Sequence, residues 1–148
     1  MRIAICDDEK SMGQILEEKV KKLLPDVVVE KYLSGDDLIS SGFKPDILFM
    51  DIQMLGKDGM ETARIVRRNN KDMILIFVTA VEEYVFQAFD VGAFHYMVKP
   101  FSDDKYEEVV KRAIKTTGEN CSNEDDDKYM MIQKMVDKHK FTIYNLYF

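Results

Sequence analysis

Residues 45–61 read Pro-Asp-Ile-Leu-Phe-Met-Asp-Ile-Gln-Met-Leu-Gly-Lys-Asp-Gly-Met-Glu, and in them a short apolar run is followed at once by Asp51. The run at 47–50 is too short for a helix and lies between Pro45 and a Gly-Lys-Asp-Gly turn, so it predicts a fully buried strand. A carboxylate at the end of such a strand is costly to bury unless something pairs with it. It is well placed for a binding site, because open α/β sheets bind ligands beyond the carboxyl ends of their strands. This stretch alone leaves open whether Asp51 is a site residue or only opens the following loop.

Similar patterns recur on both sides of this strand. Apolar or β-branched runs predict further strands at 2–6, 27–32, 73–79 and 94–98. Helical spacing and capping residues predict helices at 12–23, at 34–42 with Ser34 as cap and Gly42 as end, at 59–68, at 82–91 with Gly92 as end, and after Ser102. Strand and helix therefore alternate over residues 1–118, which predicts an α/β fold with a doubly wound parallel sheet.

Composition and charge limit the function classes. The chain has 148 residues, which is the length of one domain. Its net charge of -6 disfavours non-specific binding to nucleic acid. The two cysteines, Cys6 and Cys121, form neither a disulfide framework nor a metal-spaced cluster, which favours a reducing compartment. No signal peptide and no apolar run of bilayer-spanning length is present, so we expect a cytoplasmic protein without a membrane segment.

Polar residues follow four of the predicted strands. If all strands are parallel, one edge of the sheet carries Asp7, Asp8, Asp51, Thr79 and Lys99. Three carboxylates crowded together repel by roughly 1 to 4 kcal/mol per pair and need a cation. Oxygen ligands alone favour a hard ion such as Mg²⁺, which takes one or two carboxylates together with phosphate oxygens. A carboxylate can also attack phosphorus to give an aspartyl phosphate, whose oxygens Thr79 and Lys99 could hold.

These residues resemble the receiver domains of bacterial two-component response regulators over nearly all of residues 1–118. The matching motifs are Asp7-Asp8, Asp51 in Asp-Ile-Gln-Met followed by Asp-Gly, Thr79-Ala80, and Lys99-Pro100-Phe101. The resemblance implies a flavodoxin-like (βα)5 fold with strand order 2-1-3-4-5. It also implies a phosphoacceptor module that is no enzyme beyond promoting its own phosphorylation and dephosphorylation.

The resemblance further implies a role for each site residue. Asp51 would accept a phosphoryl group from a sensor histidine kinase. Asp8 and Asp51 would bind Mg²⁺ directly, Asp7 through water, and Gln53 through its backbone carbonyl. Thr79 and Lys99 would contact the phosphate.

A second implied role is a conformational switch. Tyr96 would change rotamer as Thr79 is drawn toward the phosphoryl group, which couples the site to the surface of the fourth helix and fifth strand. The Lys99-Pro100 bond is expected to be cis. One departure from the family pattern is Leu55, where a proline is usual, and we expect it to alter kinetics rather than abolish function.

Two other function classes share parts of this pattern. A Mg-dependent phosphatase of the haloacid-dehalogenase type also uses a strand-end aspartate as nucleophile, but it requires a second aspartate where this chain has Gln53. A flavin or dinucleotide carrier shares the fold, but the first turn here, Cys-Asp-Asp-Glu-Lys at 6–10, has no glycine-rich phosphate loop.

Several other residues invite structural interpretations. We expect His95 to be a surface or interface histidine, and the arginines at 64, 67 and 68 to form a solvated helix face. Tyr84, Phe86 and Phe89 exceed what one buried helix stripe requires, which suggests an exposed patch for homodimer formation through the fourth helix, fifth strand and fifth helix.

The composition changes after residue 118. Residues 119–127 are polar and acidic and predict a linker. Residues 128–148 contain two alternating β-prone runs that resemble the opening strands of a LytTR-type DNA-binding domain, and Val-Gly-Ala-Phe-His-Tyr-Met-Val-Lys-Pro-Phe at 91–101 resembles receivers joined to that module. On this interpretation the chain is a truncated regulator that reaches DNA only through a largely missing output domain. A cloning remnant is the alternative for the final Asn-Leu-Tyr-Phe.

Overall fold

The fold is a strict alternation of five strands and five helices in a computed structural model that describes residues 1–118. The elements are β1 (Arg2–Cys6), α1 (Lys10–Leu23), β2 (Val28–Tyr32), α2 (Gly35–Ser41), β3 (Ile47–Met50), α3 (Gly59–Asn69), β4 (Ile74–Thr79), α4 (Val85–Asp90), β5 (His95–Val98) and α5 (Asp103–Gly118).

All neighbouring strands are parallel, and the sheet order is β2-β1-β3-β4-β5. The predicted flavodoxin-like, doubly wound α/β fold and its strand order are therefore confirmed. The order in which strands are added to the sheet reverses at β1, because β2 lies on one side of β1 and β3 on the other. In such sheets a ligand crevice opens at the carboxyl ends of the two strands at this switch point, here β1 and β3.

The central strand β3 is buried on both faces, as its continuous apolar run predicts. Leu48 and Met50 point into a core shared with α2, α3 and α4, whereas Ile47 and Phe49 point into a core shared with α1 and α5. The helices therefore cover the sheet on both sides, and only its edges are left for a site.

Helix ends follow the predicted capping residues. The Ser34 side chain accepts a hydrogen bond from the Asp37 amide (3.1 Å), and Gly42 ends α2 in the left-handed region at φ 68°. Ser102, also predicted, accepts from the Lys105 amide (3.1 Å), whereas Asp58, which the sequence analysis did not single out, caps α3 by accepting from the Glu61 amide (2.8 Å). These bonds satisfy backbone donors that no helical carbonyl can reach.

Two expectations that concern α4 and β5 are wrong. The fourth helix begins at Val85 rather than at residue 82, because side chains of β4 and β5 bind the backbone of Val81 and hold the segment before the helix in a non-helical conformation. His95 is buried (5 % exposed) rather than a surface histidine, because helices cover both faces of β5 and leave that strand no solvent-facing side.

No helix among residues 1–118 is long and apolar enough to cross a bilayer. The predicted acidic linker at 119–127 and the predicted LytTR fragment at 128–148 lie outside the described residues.

Candidate functional site

Three carboxylates meet at the carboxyl edge of the sheet. Asp7 and Asp8 follow β1, and Asp51 follows β3. The two strands are paired in register, and the Asp51 amide extends their ladder by donating to the Cys6 carbonyl (3.0 Å). As a result one carboxylate oxygen from each of the three aspartates lies within 4.8 Å of the others. Asp7 (3 % exposed) and Asp51 (5 %) are buried, and Asp8 is exposed at the opening of the site.

Lys99 bridges the two buried carboxylates from the end of β5. Its Nζ lies 2.9 Å from Asp7 Oδ2 and 3.2 Å from Asp51 Oδ2. The Lys99 amide donates to the Thr79 carbonyl (2.8 Å), which fixes the start of the loop, and the Lys99-Pro100 bond is cis, as expected. The single ammonium leaves the three carboxylates with excess negative charge.

The charge states follow from burial and from these contacts. Burial raises the pKa of the Asp7 carboxyl above its usual value, and the hydrogen bond from Lys99 opposes that shift. Burial lowers the pKa of Lys99, but its hydrogen bond to Asp7 and the charge of Asp51 outweigh that effect, so the net shift is upward. Lys99 is therefore a cation in the site at neutral pH, and its charge holds the two buried carboxylates together.

The donor atoms fit a hard divalent cation. The cluster offers carboxylate oxygens and no nitrogen or sulfur ligand among its members, and one oxygen-bound divalent ion would balance the remaining charge. Gln53, the fourth residue of the predicted metal set, is exposed in the loop after Asp51. The role of its backbone carbonyl stays a prediction.

Thr79 and Tyr96 connect the site to the segment before α4. The Thr79 hydroxyl is fully buried at the end of β4 and accepts a hydrogen bond from the Val81 amide (3.3 Å). Tyr96 is buried in β5, its ring packs at a tilt against Phe77 (5.9 Å between centroids), and its hydroxyl donates to the Val81 carbonyl. Burial raises the pKa of Tyr96, so it remains a neutral donor. Both side chains that were predicted to form the switch therefore bind the same residue, Val81.

Gly59 is a site residue for which the sequence predicted only the start of a helix. Its amide donates to the Ile52 carbonyl (2.8 Å), and a Cβ at this position would lie 1.8 Å from the Asp51 carbonyl oxygen. Only glycine allows this close approach of two backbone segments. The signal in the sequence was the Asp-Gly pair that follows the strand, which is also part of the family resemblance.

Cys6 lies beside the carboxylates, but its thiol is unreactive. Its thiol is buried and contacts the Met54 sulfur (3.8 Å), and burial together with the charges of Asp7 and Asp51 raises its pKa to about 12. The thiolate, the reactive form, is therefore negligible at neutral pH.

The fold and this edge define a doubly wound α/β protein with an acidic, lysine-bridged cluster at the carboxyl ends of its strands. The family model described as "Response regulator receiver domain" matches residues 3–111. The chain therefore belongs to the response regulator receiver domain family. Receiver domains are signalling modules, and this one is homologous to the phosphoacceptor domains of two-component systems. The phosphatase alternative has no support from these comparisons.

Two curated relatives are regulators of the class that the resemblance implied. "Sensory transduction protein LytT" of Oceanobacillus iheyensis is 32 % identical over 120 residues, which are 78 % of this chain and 49 % of that protein. The "Positive alginate biosynthesis regulatory protein" of Pseudomonas aeruginosa is 34 % identical over 116 residues, which are 76 % of this chain and 47 % of that protein. The chain thus spans about half the length of the curated relatives it matches.

One solved structure shares both this fold and appreciable sequence identity with the chain. The response regulator TrrA of Thermotoga maritima, solved in complex with Mg²⁺ and BeF, superposes with a TM-score of 0.67 at 28 % identity, covering 76 % of this chain and 97 % of that one.

Proposed function

We propose that Asp51 accepts a phosphoryl group from a sensor histidine kinase, with Mg²⁺ bound beside it. The observation that carries this proposal is the cluster of Asp7, Asp8 and Asp51 with Lys99 bridging its two buried members. The relative TrrA was solved with Mg²⁺ and BeF, which supports the same chemistry here. In the proposed metal site Asp8 and Asp51 are direct ligands, Asp7 binds through water, and Gln53 contributes its backbone carbonyl.

The proposed reaction is a simple displacement at phosphorus. An Asp51 carboxylate oxygen forms a bond to phosphorus while the bond from phosphorus to the donor's histidine nitrogen breaks. Hydrolysis reverses the modification when water attacks phosphorus, which restores the carboxylate and releases inorganic phosphate. Mg²⁺ supplies charge neutralisation for the phosphoryl oxygens, and Lys99 adds a second positive charge next to Asp51 (3.2 Å). Gln53 and the exposed Leu55 (88 %) lie in the loop after Asp51, where they can affect the lifetime of the phosphoryl group.

The proposed output begins at Val81. Thr79 would turn its hydroxyl from the Val81 amide to a phosphoryl oxygen, and Tyr96, which binds the Val81 carbonyl, would follow. Because Val81 lies just before α4, this exchange changes the surface formed by α4, β5 and α5. In the whole regulator that surface would control a DNA-binding output domain and hence transcription in the cytoplasm.

The function is tested by incubating the chain with a small phosphodonor, such as acetyl phosphate, and Mg²⁺. We expect one phosphoryl group per chain that is stable in acid and labile in base, as an acyl phosphate is. Continuous release of phosphate over many turnovers, or no mass gain at all, would contradict the proposal.

A homodimer through the surface of α4, β5 and α5 is the second part of the proposal. Phe86 (52 % exposed) and Phe89 (47 %) lie one helical turn apart on α4 and present two rings to solvent. Tyr84, the third member of the predicted patch, is partly buried because it packs against the core. A second copy of the chain is the proposed occupant, since burying such rings is the main gain of a self-complementary interface.

Phe86→Ser together with Phe89→Ser should prevent that dimer. With beryllofluoride and Mg²⁺, a mimic of the acyl phosphate, we expect light scattering to report a doubled mass for the unmodified chain and the monomer mass for the double variant. Ile15→Ser is the matched control, because Ile15 is comparably exposed (41 %) but lies on α1. A dimer that survives the double substitution, or one that Ile15→Ser abolishes, would place the interface elsewhere.

A further inference from the structure

Arg67, in the last turn of α3, holds the far end of α4. Its Nε donates to the Val91 carbonyl (3.1 Å) and its Nη2 to the Gly92 carbonyl (2.9 Å). Val91 is the C-cap residue of α4, and Gly92 follows it in the turn that leads to β5. The expectation that Arg67 belongs to a solvated helix face is therefore wrong, whereas Arg64 and Arg68 are exposed as expected.

The other side of the same guanidinium is fixed to the base of β4. Its Nη1 donates to the Lys71 carbonyl (3.2 Å) and to the Met73 carbonyl. Met73 is buried (3 % exposed) directly before β4. Arg67 thus ties the end of α4 to the sheet, and its planar fork suits the carbonyls that converge on it just past α4 and just before β4.

The amino-terminal end of α4 has a different kind of attachment. The helix has six residues, and Tyr84 at its N-cap position makes no side-chain capping bond. The segment before it is held through Val81 by Thr79 and Tyr96. A helix of this length has little stability of its own, so the mobility of each end depends on the tertiary contacts that hold it.

We propose that Arg67 is a positioning residue that fixes the carboxyl end of α4, so that the helix moves about residues 91–93 as a lever. The motion itself rests on the proposed function, in which Thr79 and Tyr96 release and rebind the opposite end. The displacement of α4 would therefore increase with distance from its fixed carboxyl end, and Phe86 lies farther from that end than Phe89. Phosphorylation would then displace Phe86 more than Phe89 and tilt this pair of rings relative to β5 and α5.

Amide hydrogen exchange of single residues tests the anchor without any ligand. The Gly92 amide donates to the Phe89 carbonyl (2.9 Å), and the Ala93 amide donates to the Ala88 carbonyl (3.0 Å), so both report on the carboxyl end of α4. In Arg67→Met we expect these amides to exchange about tenfold faster, the loss that one charge-assisted hydrogen bond produces. Arg68→Met, the matched control on the same helix, should leave both rates unchanged.

The Phe49 amide in the central strand is the internal reference for the fold. If Arg67→Met also accelerates exchange at Phe49, the variant has lost global stability. Arg67→Lys then takes its place as the test variant, because lysine keeps the positive charge but lacks the planar guanidinium that binds several carbonyls. The anchor is then supported if Gly92 and Ala93 exchange faster while Phe49 does not. Rates at Gly92 and Ala93 that stay as in the unmodified chain would overturn the proposal.

Beryllofluoride with Mg²⁺ tests the lever. In the unmodified chain we expect exchange rates to change at 81–86 and to stay constant at 91–93, whereas Arg67→Met should spread the change to 91–93. Equal changes at both ends of the unmodified chain would overturn the lever. If the probe changes no amide beside Asp51, the proposed function itself fails, and the comparison without probe still decides whether Arg67 is the anchor.

Discussion

Asp51→Asn should abolish phosphorylation by a small phosphodonor while the fold is retained. The side-chain amide has nearly the shape of the carboxylate but is no nucleophile toward phosphorus, so the acyl phosphate cannot form. Lys99 keeps its shorter contact to Asp7 (2.9 Å), and one member of a mutually repelling group is neutralised. We therefore expect the loss of the Lys99 contact to be offset by the relief of repulsion, so that the fold is retained.

Intact mass after treatment with phosphodonor and Mg²⁺ measures this effect, and thermal unfolding checks the fold. Asp58→Asn is the matched control, because Asp58 is an exposed aspartate in the same loop region and asparagine caps a helix as well as aspartate does. The control should gain one phosphoryl group. A mass gain in Asp51→Asn equal to that of the unmodified chain would refute the assignment of Asp51.

Gly59→Ala should damage both stability and phosphorylation. The new Cβ would lie 1.8 Å from the Asp51 carbonyl oxygen and 2.8 Å from the Ile52 Cα, so the backbone at the site or the start of α3 must move. Because the new Cβ would collide with backbone atoms, no flexible side chain can move aside to relieve the clash. We therefore expect the free energy of unfolding to fall by about 3 kcal/mol. The displaced carboxylate should also slow phosphorylation.

Gly13→Ala is the control for this prediction. The nearest atoms to a Cβ at Gly13, in α1, lie 3.8 and 4.0 Å away, which is ordinary contact, and alanine favours a helix interior by about 1 kcal/mol relative to glycine. Denaturant unfolding should show a lower midpoint for Gly59→Ala and an equal or higher midpoint for Gly13→Ala. Equal midpoints for Gly59→Ala and the unmodified chain would show that the loop after Asp51 adapts without cost.

The sequence predicted those elements whose signals are local. The bounds of β3 were predicted correctly, because an uninterrupted apolar run between a proline and a glycine-rich turn admits one interpretation. The start of α4 was wrong, because Thr79 and Tyr96 bind Val81 from other strands, and no pattern within 82–91 encodes those bonds. Arg67 was missed for a related reason, since two of its carbonyl partners, Val91 and Gly92, lie 24 and 25 residues further along the chain at the end of α4.

The placement of the acidic site was predictable from topology. Parallel strands bring their carboxyl ends to one edge, so Asp7, Asp8 and Asp51 had to approach one another once the strand order was inferred, and the structure brings them together. The contacts of Lys99 with both buried carboxylates follow from the same edge. The Asp-Gly pair at 58–59 was a signal for Gly59, but the close approach of Gly59 to Asp51 was not predicted, because it depends on the path of the loop between them.

The dependence of Asp51 modification on a divalent cation tests the central claim most directly. The chain is treated with a small phosphodonor in Mg²⁺ or in EDTA, and the modified residue is located by tandem mass spectrometry. The three clustered carboxylates predict one phosphoryl group on Asp51 in Mg²⁺, little modification in EDTA, and recovery when Mg²⁺ is restored. Equal modification in EDTA, or a phosphoryl group located on another residue, would contradict it.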